Sequence, residues 1–431
     1  MSGKARRYVW TTLILVLSTG ILLAQEKTDS QEVLNRQSDA KDIIKSIFRK
    51  KGHSDTIIEK HPYLSVLPSA GYNPSVGLSV GVTSTDAKLY GDPKTTTLSV
   101  FNANAYISTY GLFSFEMKEN VFTSNNKFNI TGGIQAGKTV ALDYGVGTGR
   151  PAQGDGTFAI NNFPLANNAD VFEIDFSYLK INERIYRQIF KNIFVGAGLI
   201  FDFYTNIDDV RKVGPNISTH NYRYSQINAY PTDGYQANGF LLNFEYDSRD
   251  QINRAYKGLY ADFVARFNQT WMGSNHQAIQ LKTEVRKYWS LSKKNPEHVI
   301  AFWLWGCYLL DGTIPYLELP GTGSDASNRL GRGYTIGRFK GPSFFYSEGE
   351  YRFPLTANKL LSGVAFANFQ TADNQARNAA KNIRLFEYME PGGGIGLRLL
   401  FNKYSRSNLC IDYGRGNYTS RGLFLGLNEV F

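Results

Sequence analysis

From Pro62 onward the chain alternates apolar and polar residues with a period of two. Leu259, Ala261, Phe263, Ala265 and Phe267 interleave with Tyr260, Asp262, Val264, Arg266 and Asn268. Phe240, Leu242, Phe244 and Tyr246 stand against Asn243, Glu245 and Asp247, and Ile395, Leu397, Leu399 and Phe401 against Gly394, Gly396, Arg398 and Asn402. Leu409, Ile411 and Tyr413 likewise stand against Asn408, Cys410 and Asp412. Successive side chains leave a strand on opposite faces, so each segment is a ribbon with one greasy and one wet side. Bounded by Gly, Asn, Asp, Ser and Lys clusters, such segments predict sixteen strands near 76–83, 95–108, 110–122, 127–134, 138–147, 171–187, 192–206, 237–248, 257–269, 276–290, 299–312, 343–354, 361–370, 393–402, 407–414 and 423–431. Many run 10 to 14 residues. Soluble sheets favour about five or six, whereas a tilted strand needs about 9 to 11 to cross a bilayer.

The connections sort by parity. The links after strands 5, 7, 11 and 13 are long (148–170, 207–236, 313–342 and 371–392), and those after even-numbered strands are short. Short turns at one rim and long loops at the other are the habit of outer-membrane barrels. Backbone groups in hydrocarbon must pair, so a spanning sheet has to close on itself. The expected fold is therefore all-β, a 16-stranded antiparallel transmembrane β-barrel over residues 63–431, with a soluble sandwich or propeller as the ordinary alternative.

Ahead of it, residues 1–24 read as a secretory signal peptide, with Lys4, Arg6 and Arg7 before an apolar run that ends near Ala24. Residues 25–62 are polar and charged, with one short amphipathic stretch at Ile43, Ile44, Ile47 and Phe48, and fit a periplasmic or lumenal segment. Composition agrees: 42 % apolar residues without long apolar runs exclude a bundle of membrane helices, and 41 Gly with 27 Tyr and 29 Phe favour β structure. A net charge of +10 fits anionic head groups at the barrel rims, and export makes nucleic acid an unlooked-for partner. Cys307 and Cys410 fit no zinc spacing, and His53, His61, His220, His276 and His298 are scattered. Neither a metal nor a cofactor is expected, and no nucleophile motif is present.

Several stretches of the second half resemble BamA/TamA-type outer-membrane assembly barrels, the bacterial surface antigen family that includes two-partner secretion transporters. Asp247, Arg249 and Asp250 before Lys257-Gly258 look like that family's turn motif. Arg332-Gly333-Tyr334, inside the 313–342 loop, matches its Arg-Gly-Phe/Tyr signature, and Glu350 follows thirteen residues after Gly337. Gly392–Arg398 and Leu409–Gly414 are similar to its glycine-rich and Asp-Tyr-Gly strands, and Gly426 with Phe431 to its C-terminal insertion signal. Two departures stand out. The family's Phe-x-Asp element reads Phe366-Ala367-Asn368 here, and the stretch between Ala24 and Pro62 is too short for periplasmic POTRA repeats.

Six glycines, at 321, 323, 331, 333, 337 and 341, let the 313–342 loop fold back into a lumen. Parity places Glu348, Glu350 and Arg352 opposite Phe345, Tyr351 and Phe353. A guanidinium can take carboxylates in a two-bonded fork. The expectation is Arg332 paired with Glu350, helped by Glu348, with Asn368 accepting through its carbonyl. Asp247, Arg249 and Asp250 are expected to cap a periplasmic turn. The resemblance implies a non-enzymatic outer-membrane pore or scaffold of the assembly and translocation superfamily. Its partners would be outer-membrane lipid, other outer-membrane or periplasmic proteins, and the assembly machinery that inserts it. A weak seam would lie between the last strand and a short Gly-rich first strand (Gly77, Gly81). A lumen-lined hydrolase using His276 or His298 and a passive diffusion porin are the alternatives.

Overall fold

The computed structural model describes residues 37–39, 65–73, 77–92, 95–96, 99–149, 172–209, 219–251, 253–325, 328–374, 383–403, 406–427 and 429–431. The expected signal peptide and the amphipathic stretch at Ile43–Phe48 lie outside them. Sixteen strands follow one another in a single sheet: β1 (Ser65–Asn73), β2 (Gly77–Lys88), β3 (Ser99–Ser108), β4 (Phe113–Phe122), β5 (Phe128–Asp143), β6 (Phe172–Phe190), β7 (Ile193–Asp208), β8 (Gly234–Asp247), β9 (Gly258–Asn268), β10 (Ala278–Ser290), β11 (Val299–Gly312), β12 (Phe344–Pro354), β13 (Leu361–Ala372), β14 (Glu390–Asn402), β15 (Ser407–Gly416) and β16 (Arg421–Leu427). Each pairs antiparallel with the next, and a short helix α1 (His220–Ile227) lies between β7 and β8.

Sixteen strands were expected and sixteen are present among the described residues, but two differences cancel in that number. The segments 127–134 and 138–147 form the one strand β5, and β1 was not expected. Gln135-Ala136-Gly137 reads as a break. In the sheet Gly137 instead gives room to Tyr178, whose hydroxyl would lie 2.9 Å from a Cβ there. β1 carries Pro68 and no clean alternation, and a residue without an N–H is tolerated at the end of a sheet. Gly77 and Gly81 thus belong to β2, so the strand facing the expected seam is β1 rather than the Gly-rich one. The last strand stops at Leu427 instead of running to Phe431.

Parity sets the two faces. On β9 the outward Phe263 is 38 % exposed and its neighbour Asp262 is buried at 4 %. Register ties Phe101, Glu119, Gly132, Glu183, Leu199, Phe240 and Phe267 into one outward row across seven strands. That row is apolar except for Glu119 and Glu183. Their side chains meet over Gly132, where a Cβ would lie 2.6 Å from Glu183 Oε2. The other face is polar, as in the row Asn104, Glu116, Gln135, Lys180 and Asp202. Residues 313–343 touch β6, β9, β12 and β15 at once, so the sheet curls around them and its polar face encloses a lumen. Two buried aromatic clusters fill that lumen. One holds Trp303, Phe339, Phe344, Tyr346 and Phe431. The other holds Phe176, Tyr204, Tyr224, Tyr235 and Tyr316.

Candidate functional site

The connection from β11 to β12 is a hairpin folded into the lumen. Thr322 N donates to Phe339 O at 2.8 Å and Gly341 N to Pro320 O at 3.0 Å, with Gly321 bridged to Lys340. Its root is held at Glu318, which accepts from Lys180 of β6 at 3.0 Å and Arg266 of β9 at 3.1 Å, and from the Tyr204 hydroxyl of β7. Burial would raise the Glu318 carboxyl, but Lys180 and Arg266 pull it down to about 2. Asp202 of β7 shares Arg266 at 2.9 Å. A second brace joins Asp143, at the end of β5, to Tyr316 at 2.6 Å, Lys340 at 3.0 Å and His220 of α1 at 3.2 Å.

At the tip, Gly331 and Gly333 adopt φ of +84° and +109°. This reverses the backbone around Arg332 at a cost that any side chain would increase. The close approach is as important as the turn, because a Cβ on Gly333 would lie 2.7 Å from Arg415 O of β15. Arg332 is thereby driven against the wall, only 2 % exposed. Its Nη1 donates to Asp412 Oδ2 of β15 at 2.8 Å and its Nε to Glu348 Oε2 of β12 at 3.2 Å. Its Nη2 reaches both Glu348 and Glu350, and the guanidinium lies 3.7 Å from the centre of the Phe366 ring. Burial by itself would lower the Arg332 pKa, yet the three carboxylates hold it well above the usual guanidinium value. Tyr334 donates to Pro391 O at 2.5 Å and accepts from Asn417 N at 2.8 Å, bracing the tip against β14 and the β15–β16 turn.

This departs from the expected arrangement in three ways. Glu348, not Glu350, takes the larger share of Arg332, and Asp412 is a third acid that the motif did not single out. Asn368 acts through its amide N–H, which donates to Arg332 O at 3.0 Å and Glu348 Oε2 at 3.1 Å, while its carbonyl oxygen has no hydrogen-bond partner among the described residues.

Residues 68–403 match the Omp85 superfamily domain. The chain belongs to the Omp85 superfamily. Its members are outer-membrane β-barrels of protein translocation and assembly, and this chain is one of them. No curated protein matches the chain. Among solved structures, BamA from Haemophilus ducreyi lacking POTRA domains 1-3 is 14 % identical with a TM-score of 0.54, over 86 % of this chain and 70 % of that one. CdiB from Escherichia coli is 9 % identical with a TM-score of 0.54, over 86 % of this chain and 63 % of its own length. At such identities the likeness is one of fold.

The other residues with chemistry in this Omp85 barrel are placed as follows. Asp247 Oδ1 accepts from Arg249 N at 3.0 Å, and Asp247 also clasps the Arg249 guanidinium, at 3.0 and 2.7 Å. Asp250 Oδ1 accepts the backbone N–H of Tyr256 at 2.9 Å and of Lys257 at 3.1 Å, while its Oδ2 binds Arg406 of the β14–β15 turn at 2.8 Å. Gly426 lies on β16 opposite Cys410. Phe431 turns inward, its ring stacked on Trp303 at 5.2 Å between centroids. His276 bonds Ala229 O at 3.1 Å and His298 the Tyr351 hydroxyl at 2.9 Å. The site residues that sequence reasoning passed over are Arg254, Arg398, Asp412 and Glu429. Parity already put Arg398 and Asp412 on the wet face of their strands. What was lacking was any sign that strands three apart in order would meet at one guanidinium.

Proposed function

We propose that this Omp85 barrel is a non-enzymatic pore or scaffold within a larger outer-membrane complex, with the 313–343 hairpin as a lumen plug whose anchor is Arg332. The observation that carries this reading is the convergence of Glu348, Glu350 and Asp412, from two non-adjacent strands, on one loop guanidinium. Buried charge of this density fixes position more than it adds stability. Partners would be other outer-membrane or periplasmic proteins, beyond lipid. Single-channel recording in planar bilayers tests the plug: removal of residues 321–340 should raise conductance several-fold, and an unchanged conductance would remove the plug from the account. Photo-crosslinking from the outward face and from the even-numbered turns should capture a discrete protein partner.

A passive diffusion pore is the second reading, favoured by the polar wall away from the loop, where Asn104, Glu116, Lys118 and Gln135 are only partly covered. Conductance without any crosslinked protein would select it. Phospholipid hydrolysis by the purified barrel, lost on changing His276 or His298, would revive the hydrolase alternative.

A further inference from the structure

The charges around Arg332 do not end with its three acids. Glu350 Oε2 also accepts from Arg352 at 2.7 Å, and Asp412 Oδ1 from Arg398 at 2.5 Å. Both arginines turn as well to Glu429, beyond the end of β16: Arg398 Nε lies 2.7 Å from Glu429 Oε2 and Arg352 Nε 4.0 Å from it. Arg254, in the β8–β9 turn, approaches Glu429 Oε1 at 3.3 Å. Glu429, Arg254, Arg352 and Arg398 are all buried. Two residues further, Phe431 lies flat on Trp303 and its carbonyl oxygen accepts from Arg352 at 2.8 Å.

Two of the three carboxylates that hold Arg332 are thus shared with arginines that Glu429 also neutralises. With Glu429–Phe431 docked, Arg398 has Glu429 as a second acid and Arg352 has the Glu429 carboxylate nearby and the Phe431 carbonyl as an acceptor, so Glu350 and Asp412 can face the loop as well. Without that segment, the same two carboxylates are the remaining compensation for Arg352 and Arg398, and buried charges of opposite sign draw together strongly. Arg332 would then keep Glu348 alone.

We propose that the segment Glu429–Phe431 is a latch for the lumen hairpin: docked between Arg254, Arg352, Arg398 and Trp303 it holds the Arg332 tip on the wall, and displaced it releases that tip. The latch adds a control to the plug proposed above. Because its test reads loop mobility and not conductance, it can fail while the plug reading stands.

Hydrogen exchange on the full chain in detergent micelles decides the matter. The reporters are the amides that close the hairpin: Gly323 (to Leu330 O), Tyr334 (to Gly331 O) and Gly337 (to Thr322 O). Glu429→Gln and Phe431→Ala should each speed exchange there by about 5- to 150-fold, the span of ordinary coupling energies, with β5 to β7 unchanged. Coupling is reciprocal. Arg332→Gln should therefore speed exchange at Glu429, whose amide donates to Asn253 O. Phe431→Ala leaves every charge in place and decides the question if Glu429→Gln does not fold. Unchanged hairpin amides beside a loosened 429–431 segment would overturn the proposal, and so would a uniform acceleration of all strands.

Discussion

The amide nitrogen of Asn368 lies 3.1 Å from Glu348 Oε2, on the oxygen that Arg332 Nε also approaches at 3.2 Å. The amide therefore supplies a donor where Arg332 already has three acids, and a fourth carboxylate would have no cation left to meet. Asn368→Asp should destabilise the barrel by about 3 kcal/mol at alkaline pH, the scale of an uncompensated buried charge. The new carboxyl would face the Glu348 carboxylate and the Arg332 carbonyl, two acceptors that it can meet only as a protonated donor. The deficit should therefore vanish in acid, where the group is protonated folded and unfolded alike, grow as pH rises, and level off once both states are ionised. Urea unfolding in lipid at acid and alkaline pH measures both limbs; a deficit independent of pH would reject this account of the amide.

Gly333 is required twice, by φ of +109° and by the 2.7 Å between its missing Cβ and Arg415 O. Gly333→Ala should therefore lift the hairpin tip off β15, at a backbone cost of about 1 to 3 kcal/mol. Single-channel conductance should increase toward that of the hairpin deletion while the strands stay protected from exchange. Wild-type conductance would show that the tip tolerates the methyl group.

The root of the hairpin should respond to acid. Burial opposes ionisation of Glu318, but Lys180 and Arg266 prevail and hold its pKa at about 2. A depressed folded value contributes stability above the unfolded pKa of about 4.3 that is lost as pH falls toward the folded one. Near-ultraviolet circular dichroism of the tyrosines around Glu318 should hold down to pH about 4 and collapse between there and about 2. Glu318→Gln should show the acid spectrum already at neutral pH, and a spectrum like the wild type's would argue that packing alone fixes the root.

Glu119 and Glu183 are the exceptions in the outward row, set among Phe101, Leu199, Phe240 and Phe267. Carboxylates facing lipid are unfavourable, though less so than arginine or lysine at the midplane. Glu183→Leu should raise the urea midpoint in lipid vesicles by the equivalent of about 1 kcal/mol. A lowered midpoint would mean that the two side chains stabilise the wall by meeting over Gly132.

How much was legible beforehand varies along the chain. On β12 the alternation of Glu348, Glu350 and Arg352 against Phe345, Tyr351 and Phe353 was enough to assign these six side chains their faces. Pro68 and Gly137 misled, because the same residue types end a strand in one context and sit at its edge or beside a ring in another. Asn368 misled in a different way: its place at the anchor was readable, but which end of an amide faces inward depends on neighbours contributed by other strands.

The amino-acid order by itself determined the local facts: which residues share a face, which links are long, and which loop carries the Arg-Gly-Tyr tip. These follow from steric rules with a reach of a few residues, so they are written in the order of side chains. The choice of Asp412 beside Glu348 and the inward course of Glu429–Phe431 were decided only by the curled sheet. Those contacts join residues as far apart in the chain as Arg332 and Asp412, Trp303 and Phe431, and Arg254 and Glu429, and register and curvature, set by the strands together, bring them within reach.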